Sequence, residues 1–207
     1  MNIAVFASGR GSNFSAIVRA VKKGKIKASL ALLICDQPKA GVISRAKRAG
    51  VKVALVERRG FSSKEDFETR IIEILEENKI ELVVLAGFMR ILSAAFVARY
   101  KGRIINVHPA LLPSFKGAHG IKEAFDFGVK VTGVTVHFVD EEMDHGPIIL
   151  QKAVSIEEDD TLETLEKKIH KIEHVIYPEA IKLIVEGRLK LEGRKVRVLN
   201  SQEPGPR

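Results

Sequence analysis

Three polar residues in the second half of the chain are of the types that acid–base chemistry on a carbonyl group requires. Asn106 and His108 end the apolar run GRIINVH, and Asp144 lies in the segment DEEMDHG. Residues two apart on a strand point to the same face, so the Asn106 amide and the His108 imidazole converge on one small volume. We expect Asp144 to lie beside the imidazole and to favour its charged form. Together they predict proton transfer and oxyanion stabilisation, although a plain strand-end cap explains Asn106 or His108 taken alone.

A second candidate site is the glycine-rich segment ASGRGSN, which lies where the first strand is expected to end and the first helix to begin. Backbone N–H groups at a helix N-terminus bind phosphate, and Gly9 and Gly11 allow the ligand to approach closely. Ser12 and Asn13 add side-chain donors. A dinucleotide site is disfavoured because Phe14 stands where that fingerprint has a small residue. We predict phosphate binding here, with a ligand-free structural turn as the alternative.

The remaining histidines and the one cysteine give weaker signals. His137 lies between apolar residues on an alternating strand, where a core role and a site role are equally compatible. His119 lies in a proline-interrupted loop, and we favour no direct role for it over a role in lining a cleft. His170 and His174 have the spacing of helical metal ligands, but no HExxH arrangement accompanies them, and we expect no metal. Cys35 excludes an intrachain disulfide and is interpreted as core packing.

The elements that position these residues follow from apolar periodicity. Four short runs rich in Val, Leu and Ile fit strands buried on both faces: NIAVFA, SLALLICD, VKVALV and ELVVLAG. Helical segments separate them, and such alternation produces a parallel sheet covered by helices. In the second half, GRIINVH is a further strand, VTGVTVHFV and PIILQKAVSI are antiparallel strands, and a long helix runs from about Asp160 to Glu186. The predicted fold class is α/β: a single-domain, open, mostly parallel doubly wound sheet of Rossmann-like type, with antiparallel strands in the C-terminal half.

Composition narrows the class of protein. The chain has 207 residues and a formal charge of +8, with 45% hydrophobic and 29% charged residues, which is typical of a globular protein. No apolar run approaches a membrane span, and the N-terminal segment does not resemble a signal peptide, so we expect a cytoplasmic protein. The basic residues are scattered, and no aromatic residues interleave with them to stack bases, which disfavours nucleic acid. Residues 201–207 are rich in Pro and Gly and are predicted to be disordered.

Five segments, taken in order, resemble one enzyme family. They are ASGRGSN, LAGFMRIL, INVHPALLPSFKG, GVTVHFVDEEMDHGPIILQ and EHVIYP. This set is similar to the glycinamide ribonucleotide transformylases, the folate-dependent phosphoribosylglycinamide formyltransferases. The resemblance implies that a formyl group passes from the co-substrate 10-formyltetrahydrofolate to the amine of glycinamide ribonucleotide in de novo purine biosynthesis. The products would be formylglycinamide ribonucleotide and tetrahydrofolate.

The same resemblance implies residue roles. Asn106, His108 and Asp144 match the catalytic set, with His108 as proton donor. Contacts with the ribonucleotide are implied at Gly11, Ser12, Asn13, His170 and Glu173, and contacts with the folate at Lys64, Met89, Arg90, Ile91, Leu92, Asn106, Val139, Asp140 and Glu141. Lys64 stands where the family often has Arg, which keeps the charge but loses the forked donor geometry. His170 stands where relatives have Gln or Lys.

Domain organisation and partners complete the expectation. We predict one formyltransferase domain over residues 1–200, with a phosphate-binding half at 1–90 and a folate-binding and catalytic half at 91–200. Methionyl-tRNA formyltransferase and formyltetrahydrofolate deformylase are related alternatives, and 207 residues leave no room for the additional domains they carry. A non-catalytic nucleotide- or nucleic-acid-binding module is the rival from another class. The expected partners are two small anionic substrates, steered in part by Lys64 and Arg90, with no membrane, no nucleic acid, and a monomer or homodimer.

Overall fold

The computed structural model describes residues 1–200, and these divide into two compact units, the first spanning Met1–Ile105 and the second beginning at Asn106. The first unit alternates strands with helices, as the apolar runs predict. Its elements are β1 (Asn2–Phe6), α1 (Ser12–Lys22), β2 (Ser29–Cys35), α2 (Gly41–Ala49), β3 (Lys52–Leu55), α3 (Lys64–Glu77), β4 (Leu82–Leu85), α4 (Ala94–Arg99) and the start of β5 (Ile104–His108). The pairings of β1 with β2, β1 with β4 and β2 with β3 are all parallel.

The first unit owes its core to these continuous apolar strands. Ile3 to Phe6 of β1 and Leu82 to Leu85 of β4 are buried, as expected of strands covered on both faces. Helix α3 buries the apolar face that the sequence indicates, including Phe67 and Ile71. Its N-terminus is capped by Ser63, whose hydroxyl accepts a hydrogen bond from the Asp66 N–H at 3.0 Å.

The second unit is built on an antiparallel strand pair and a long helix. Its elements after β5 are α5 (Gly120–Phe127), β6 (Val131–Phe138), β7 (Ile148–Ser155), α6 (Leu162–Val185), β8 (Leu189–Glu192) and β9 (Lys195–Val198). The pairs β6–β7 and β8–β9 are antiparallel. Seven strands belong to one sheet in the order β3-β2-β1-β4-β5-β6-β7. This arrangement confirms the predicted fold class.

Two elements of the second unit go beyond the sequence prediction. Helix α5 was not predicted, because its eight residues follow directly on a proline-interrupted loop and are too few for a clear helical period. The strand-like run after α6 folds as the hairpin of β8 and β9, which turns at Gly193 and Arg194. The predicted disorder of residues 201–207 lies outside the described residues. No helix in residues 1–200 is long and apolar enough to cross a membrane.

Two side chains, Thr135 of β6 and Gln151 of β7, form hydrogen bonds with the backbone of the loop that follows His108. Thr135 on β6 donates its hydroxyl proton to the Ala110 carbonyl at 2.7 Å and accepts from the Leu112 N–H at 3.0 Å. Gln151 on β7 donates to the Leu112 carbonyl at 2.9 Å. These bonds satisfy backbone groups of an irregular segment that would otherwise lack partners. They therefore fix the start of the loop beside the candidate catalytic residues.

We predict that Gly133→Ala destabilises the protein because it removes room for this loop. A Cβ atom at Gly133 would lie 2.2 Å from the Lys152 carbonyl oxygen and 2.7 Å from the Leu111 side chain. Overpacking of this kind costs about 1–3 kcal/mol, which urea unfolding would measure. Gly60→Ala is the control, since nothing lies within 4 Å of its added Cβ. Equal midpoints for the two variants would contradict the prediction.

Candidate active site

Asn106, His108 and Asp144 meet in the second unit, as the sequence predicts. Asn106 and His108 point to one side at the carboxyl end of β5, and Asp144 comes from the β6–β7 connection. The Nδ1 atom of His108 lies 3.4 Å from the Asp144 Oδ2, and the Asn106 Nδ2 lies 3.4 Å from the Asp144 Oδ1. His108 is 3% exposed. An amide, an imidazole and a carboxylate thus share a largely water-excluded site, where their electrostatic interactions are strengthened.

The Asp144 carboxylate accepts hydrogen bonds from the Gly117 N–H and the Asn106 amide, and the rings of His108 and His137 face it. Its Oδ2 accepts a hydrogen bond from the Gly117 N–H at 2.8 Å, and its Oδ1 lies 3.7 Å from the His137 Nε2. Burial acts to raise the pKa of Asp144, but the interactions with His137, Gly117 and His108 outweigh it and hold that pKa below its ordinary value. Asp144 is therefore ionised at neutral pH, which a carboxylate that stabilises a protonated imidazole requires.

The His108 imidazole faces acceptors at both ring nitrogens. Its Nε2–H donates to the Phe115 carbonyl at 2.7 Å, and Nδ1 faces Asp144. Burial lowers the pKa of His108 below the ordinary histidine value, while Asp144 and the Phe115 carbonyl act in the opposite direction without cancelling it. Asp144 raises the pKa of His108, as the sequence led us to expect. The expectation did not include burial, which lowers this pKa by more than Asp144 raises it. Free His108 is mainly neutral at pH 7, and its imidazolium is a stronger acid than an exposed one.

His137 belongs to the same cluster. The sequence alone was equally compatible with a core role and a site role for this residue. It is 2% exposed, and its Nδ1–H donates to the Phe138 carbonyl at 2.8 Å. Its Nε2 atom lies 3.4 Å from the Asn106 Nδ2 and 3.7 Å from the Asp144 Oδ1. His137 therefore lies against both Asn106 and Asp144. Its position in β6 is visible in the sequence, but its partners lie 31 and 7 residues away and only the fold brings them together.

Gly120 fits closely against His108 at the start of α5. A Cβ atom at this position would lie 3.2 Å from the His108 Nε2 and 2.9 Å from the Phe115 carbonyl oxygen. The neighbouring His119 is exposed and makes no side-chain hydrogen bond that caps the helix. The backbone at Gly120 therefore covers the His108 imidazole. His119 lies outside the cluster of Asn106, His108 and Asp144.

In the first unit, the glycine-rich loop after β1 is held between two other segments. Ser8 donates its N–H to the Gly87 carbonyl at 3.0 Å, and its hydroxyl accepts from the Met89 N–H at 3.0 Å. The Val42 N–H donates to the Gly9 carbonyl at 3.1 Å. Gly11 has φ +78°, and a Cβ there would lie 2.6 Å from the Val42 side chain. The loop therefore requires glycine at this position, and α1 begins directly after it with Ser12 and Asn13.

The loop between β4 and α4 presents apolar side chains on a fixed backbone. Met89 is 74% exposed and Ile91 is 69% exposed. At the end of this loop, Ser93 donates its N–H to Glu68 of α3 at 2.9 Å, and its hydroxyl also bonds this carboxylate. Exposed apolar side chains on an anchored loop are suited to hold a flat, largely apolar ligand.

The two cations that were expected to steer anions both face carboxylates. The Arg90 Nε lies 2.7 Å from the Oδ2 of buried Asp36, and its guanidinium stacks over Phe67. The Lys64 Nζ lies 3.9 Å from the Glu68 Oε1. These pairs reduce the positive field at both residues. Lys64 and Arg90 therefore attract anionic substrates less strongly than we expected from the sequence, which shows the two cations but not the carboxylates beside them.

Other predicted contact residues lie in the second unit. On α6, Glu173 is buried and its Oε2 lies 3.0 Å from the Nδ1 of His170. Glu173 also acts to raise the pKa of His108, so it belongs to the electrostatic surroundings of the site. Val139, Asp140 and Glu141 follow β6 in the connection that carries Asp144. Within residues 1–200, no group of three or more His, Cys, Asp and Glu side chains is placed to hold a metal ion.

An open α/β sheet with an amide, an imidazole and a carboxylate gathered at one strand end is the architecture of an enzyme equipped for proton transfer at a carbonyl group. Comparison with known proteins gives this class a family. Residues 1–181 match the sequence profile described as formyl transferase. The chain belongs to the formyl transferase family.

Individual relatives agree with this assignment. The chain is 51% identical over 182 residues to phosphoribosylglycinamide formyltransferase of Bacillus subtilis, covering 88% of this chain and 93% of that protein. It is 42% identical over 193 residues to trifunctional purine biosynthetic protein adenosine-3 of Gallus gallus, covering 92% of this chain but 19% of that longer protein. The crystal structure of glycinamide ribonucleotide transformylase 1 from Symbiobacterium toebii superposes with a TM-score of 0.94 at 43% identity, covering 97% and 94% of the two chains.

We predict that Asp144→Asn lowers the pKa of His108 further. The Asp144 charge is the largest influence that raises this pKa, and its removal leaves burial less opposed. Titration of the histidine ring signals by NMR would measure the shift, with Asp126→Asn on the exposed face of α5 as the control. An unchanged or raised His108 pKa in Asp144→Asn would contradict the electrostatic account.

Proposed function

We propose that this protein transfers the formyl group of 10-formyltetrahydrofolate to the amine of glycinamide ribonucleotide, giving formylglycinamide ribonucleotide and tetrahydrofolate in de novo purine biosynthesis. The observation that carries the proposal is the meeting of Asn106, His108 and Asp144 in one partly buried cluster. Membership of the formyl transferase family and the named relatives support the reaction class. No metal takes part in the proposed chemistry.

The reaction needs charge stabilisation and two proton movements. The substrate amine attacks the formyl carbon, and the carbonyl π electrons move to oxygen as the new C–N bond forms. We assign stabilisation of this oxyanion to the Asn106 amide and the His108 N–H. Re-formation of the carbonyl then breaks the bond to the folate nitrogen. The attacking nitrogen loses one proton and the departing nitrogen gains one, with His108 as the proton donor and Asp144 stabilising its charged form.

A bound formyl group must replace hydrogen-bond partners that His108 and Asn106 have in the free protein. The His108 Nε2–H donates to the Phe115 carbonyl, and the Asn106 amide lies against His137 and donates to Asp144. A formyl oxygen can receive these donors only if it replaces such partners. The Asn106 bonds are long at 3.4 Å, so little is lost when they are exchanged.

Binding roles outside the cluster are proposed from the family resemblance. We assign binding of the substrate phosphate and ribose to Gly11–Asn13, His170 and Glu173. We assign binding of the folate to Lys64, Met89–Leu92, Asn106 and Val139–Glu141. The anchored, exposed side chains of Met89 and Ile91 fit an apolar pocket wall. A cytoplasmic location, a monomer or homodimer, and the division into halves at 1–90 and 91–200 stay predictions.

The function is tested by following folate conversion by absorbance with and without glycinamide ribonucleotide. We expect conversion that depends on the ribonucleotide, and a kcat reduced at least about 100-fold in His108→Asn, since a positioned general acid contributes about that much. His119→Asn is the control, because His119 is exposed and lies outside the cluster.

The alternatives give different results in the same experiment. A deformylase would release formate and tetrahydrofolate from the donor without the ribonucleotide. A nucleic-acid-binding module would show no turnover and instead bind nucleic acid with a steep salt dependence. Equal rates for His108→Asn and the wild type would contradict the assigned mechanism.

We predict that Gly11→Ala raises the KM for glycinamide ribonucleotide at least about tenfold, the order of effect of charge-assisted hydrogen bonds to phosphate. The added Cβ would displace the loop from Val42 and strain its left-handed backbone. Gly24→Ala is a matched control, because Gly24 also has positive φ (+69°) but has nothing within 4 Å of the added Cβ. Similar KM values in the two variants would argue against a phosphate site in this loop.

A further inference from the structure

The hairpin of β8 and β9 places a cation against the connection that carries Asp144. Arg194 lies in the turn between these two strands, directly after Gly193. Its Nη2–H donates to the main-chain carbonyl of His145, and its Nη1 lies 3.1 Å from the His145 Nε2. The planar guanidinium thus contacts the backbone and the side chain of one residue at once, a geometry that a lysine ammonium does not reproduce. The residue it holds is the immediate neighbour of Asp144.

From His145 the contacts continue across the connection to its beginning. The His145 Nδ1 lies 2.8 Å from the Asp140 Oδ2, and the Asp140 Oδ1 accepts from the Glu142 N–H at 3.2 Å. The Glu142 carboxylate lies 3.9 Å from the His145 Nδ1. Arg194, His145 and Asp140 therefore form a chain that links the two ends of the segment 140–145.

The directed bond of Arg194 in this chain is the one to the backbone. Its Nη1 lies 3.1 Å from the His145 Nε2 and 3.5 Å from the His145 Nδ1, so this part of the guanidinium packs against the imidazole ring. Its Nη2–H donates to the His145 carbonyl. That backbone bond fixes the peptide group that follows Asp144.

The backbone at Asp144 needs such support. Asp144 has φ +49°, a left-handed conformation that is unfavourable for residues other than glycine and persists where surrounding contacts hold it. On its N-terminal side the segment is held by the turn at Asp140. On its C-terminal side the Arg194 bond to the His145 carbonyl fixes the next peptide group. Loss of that bond would loosen Asp144 relative to His108.

We propose that Arg194 is a positioning residue for formyl transfer, which holds the segment 140–145 so that Asp144 faces His108. This inference rests on the proposed function. Arg194 itself contacts no residue of the Asn106, His108 and Asp144 set in the bonds described, and it acts through His145.

The test compares two arginine-to-alanine variants of the same hairpin. Arg197 is 71% exposed and pairs with Glu192, so Arg197→Ala removes the same charge without touching His145. We expect Arg194→Ala to lose about threefold to tenfold in kcat/KM for the formyl donor, the order expected for one or two hydrogen bonds. The KM for glycinamide ribonucleotide and the activity of Arg197→Ala should not change. Arg194→Lys should fall between Arg194→Ala and the wild type, since it keeps one contact.

Thermal unfolding in the assay buffer verifies that each variant is folded. A purely structural arginine would lower the unfolding temperature without the selective loss in kcat/KM for the formyl donor.

The outcomes separate this inference from the proposed function. Absence of formyl transfer by the wild type would overturn the proposed function and the inference with it. Transfer by the wild type with equal kcat/KM values for Arg194→Ala and Arg197→Ala would overturn the role of Arg194 alone.

Discussion

A carboxylate that is largely removed from water needs polar groups around it. The second unit supplies these groups to Asp144, whose side chain is 10% exposed. The Gly117 N–H, the Asn106 amide and the rings of His108 and His137 all lie around this carboxylate. These groups come from β5, from the loop after β5 and from β6. The requirement to satisfy one charge therefore fixes the positions of three chain segments.

The same requirement explains how the site combines two opposed effects on His108. Exclusion of water lowers the pKa of the imidazole, and the ionised Asp144 raises it part of the way back. The imidazole is thereby prepared to be neutral when free and to become a strong proton donor when charged. Negative charge that develops on a bound formyl oxygen would act on His108 in the same direction as Asp144.

The sequence predicted the layered fold and the grouping of Asn106, His108 and Asp144, but not the contacts that depend on distant residues. Continuous apolar runs identify β1, β2 and β4, because strands covered on both faces have no polar alternation. The run VKVALV also forms a strand, but the prediction that it is buried on both faces is wrong, because β3 lies at the edge of the sheet and its residues are exposed or half-buried. The spacing of Asn106 and His108 gives their common direction. Helix α5 was missed because it is short, begins at Gly120 and follows a loop that contains Gly117, and both glycines suggest continued irregular structure.

Side-chain environments were harder to predict than positions. His137 was left undecided, since its alternating strand is equally typical of core and site residues. The pairing of Arg90 with Asp36 and of Lys64 with Glu68 was not visible, because net charge does not reveal which carboxylate lies next to which cation. The lowered pKa of His108 could not be derived without its burial. In each case the missing quantity is a distance across the fold.

The central claim is that His108 and Asp144 act as one unit in the proposed formyl transfer. A double-mutant cycle of His108→Asn and Asp144→Asn, read as kcat in the folate-conversion assay, tests it most directly. If Asp144 acts by stabilising the charged form of His108, the double variant should be no slower than the slower single variant. Losses that multiply in the double variant would contradict the claim, because they would mean that the two side chains contribute independently.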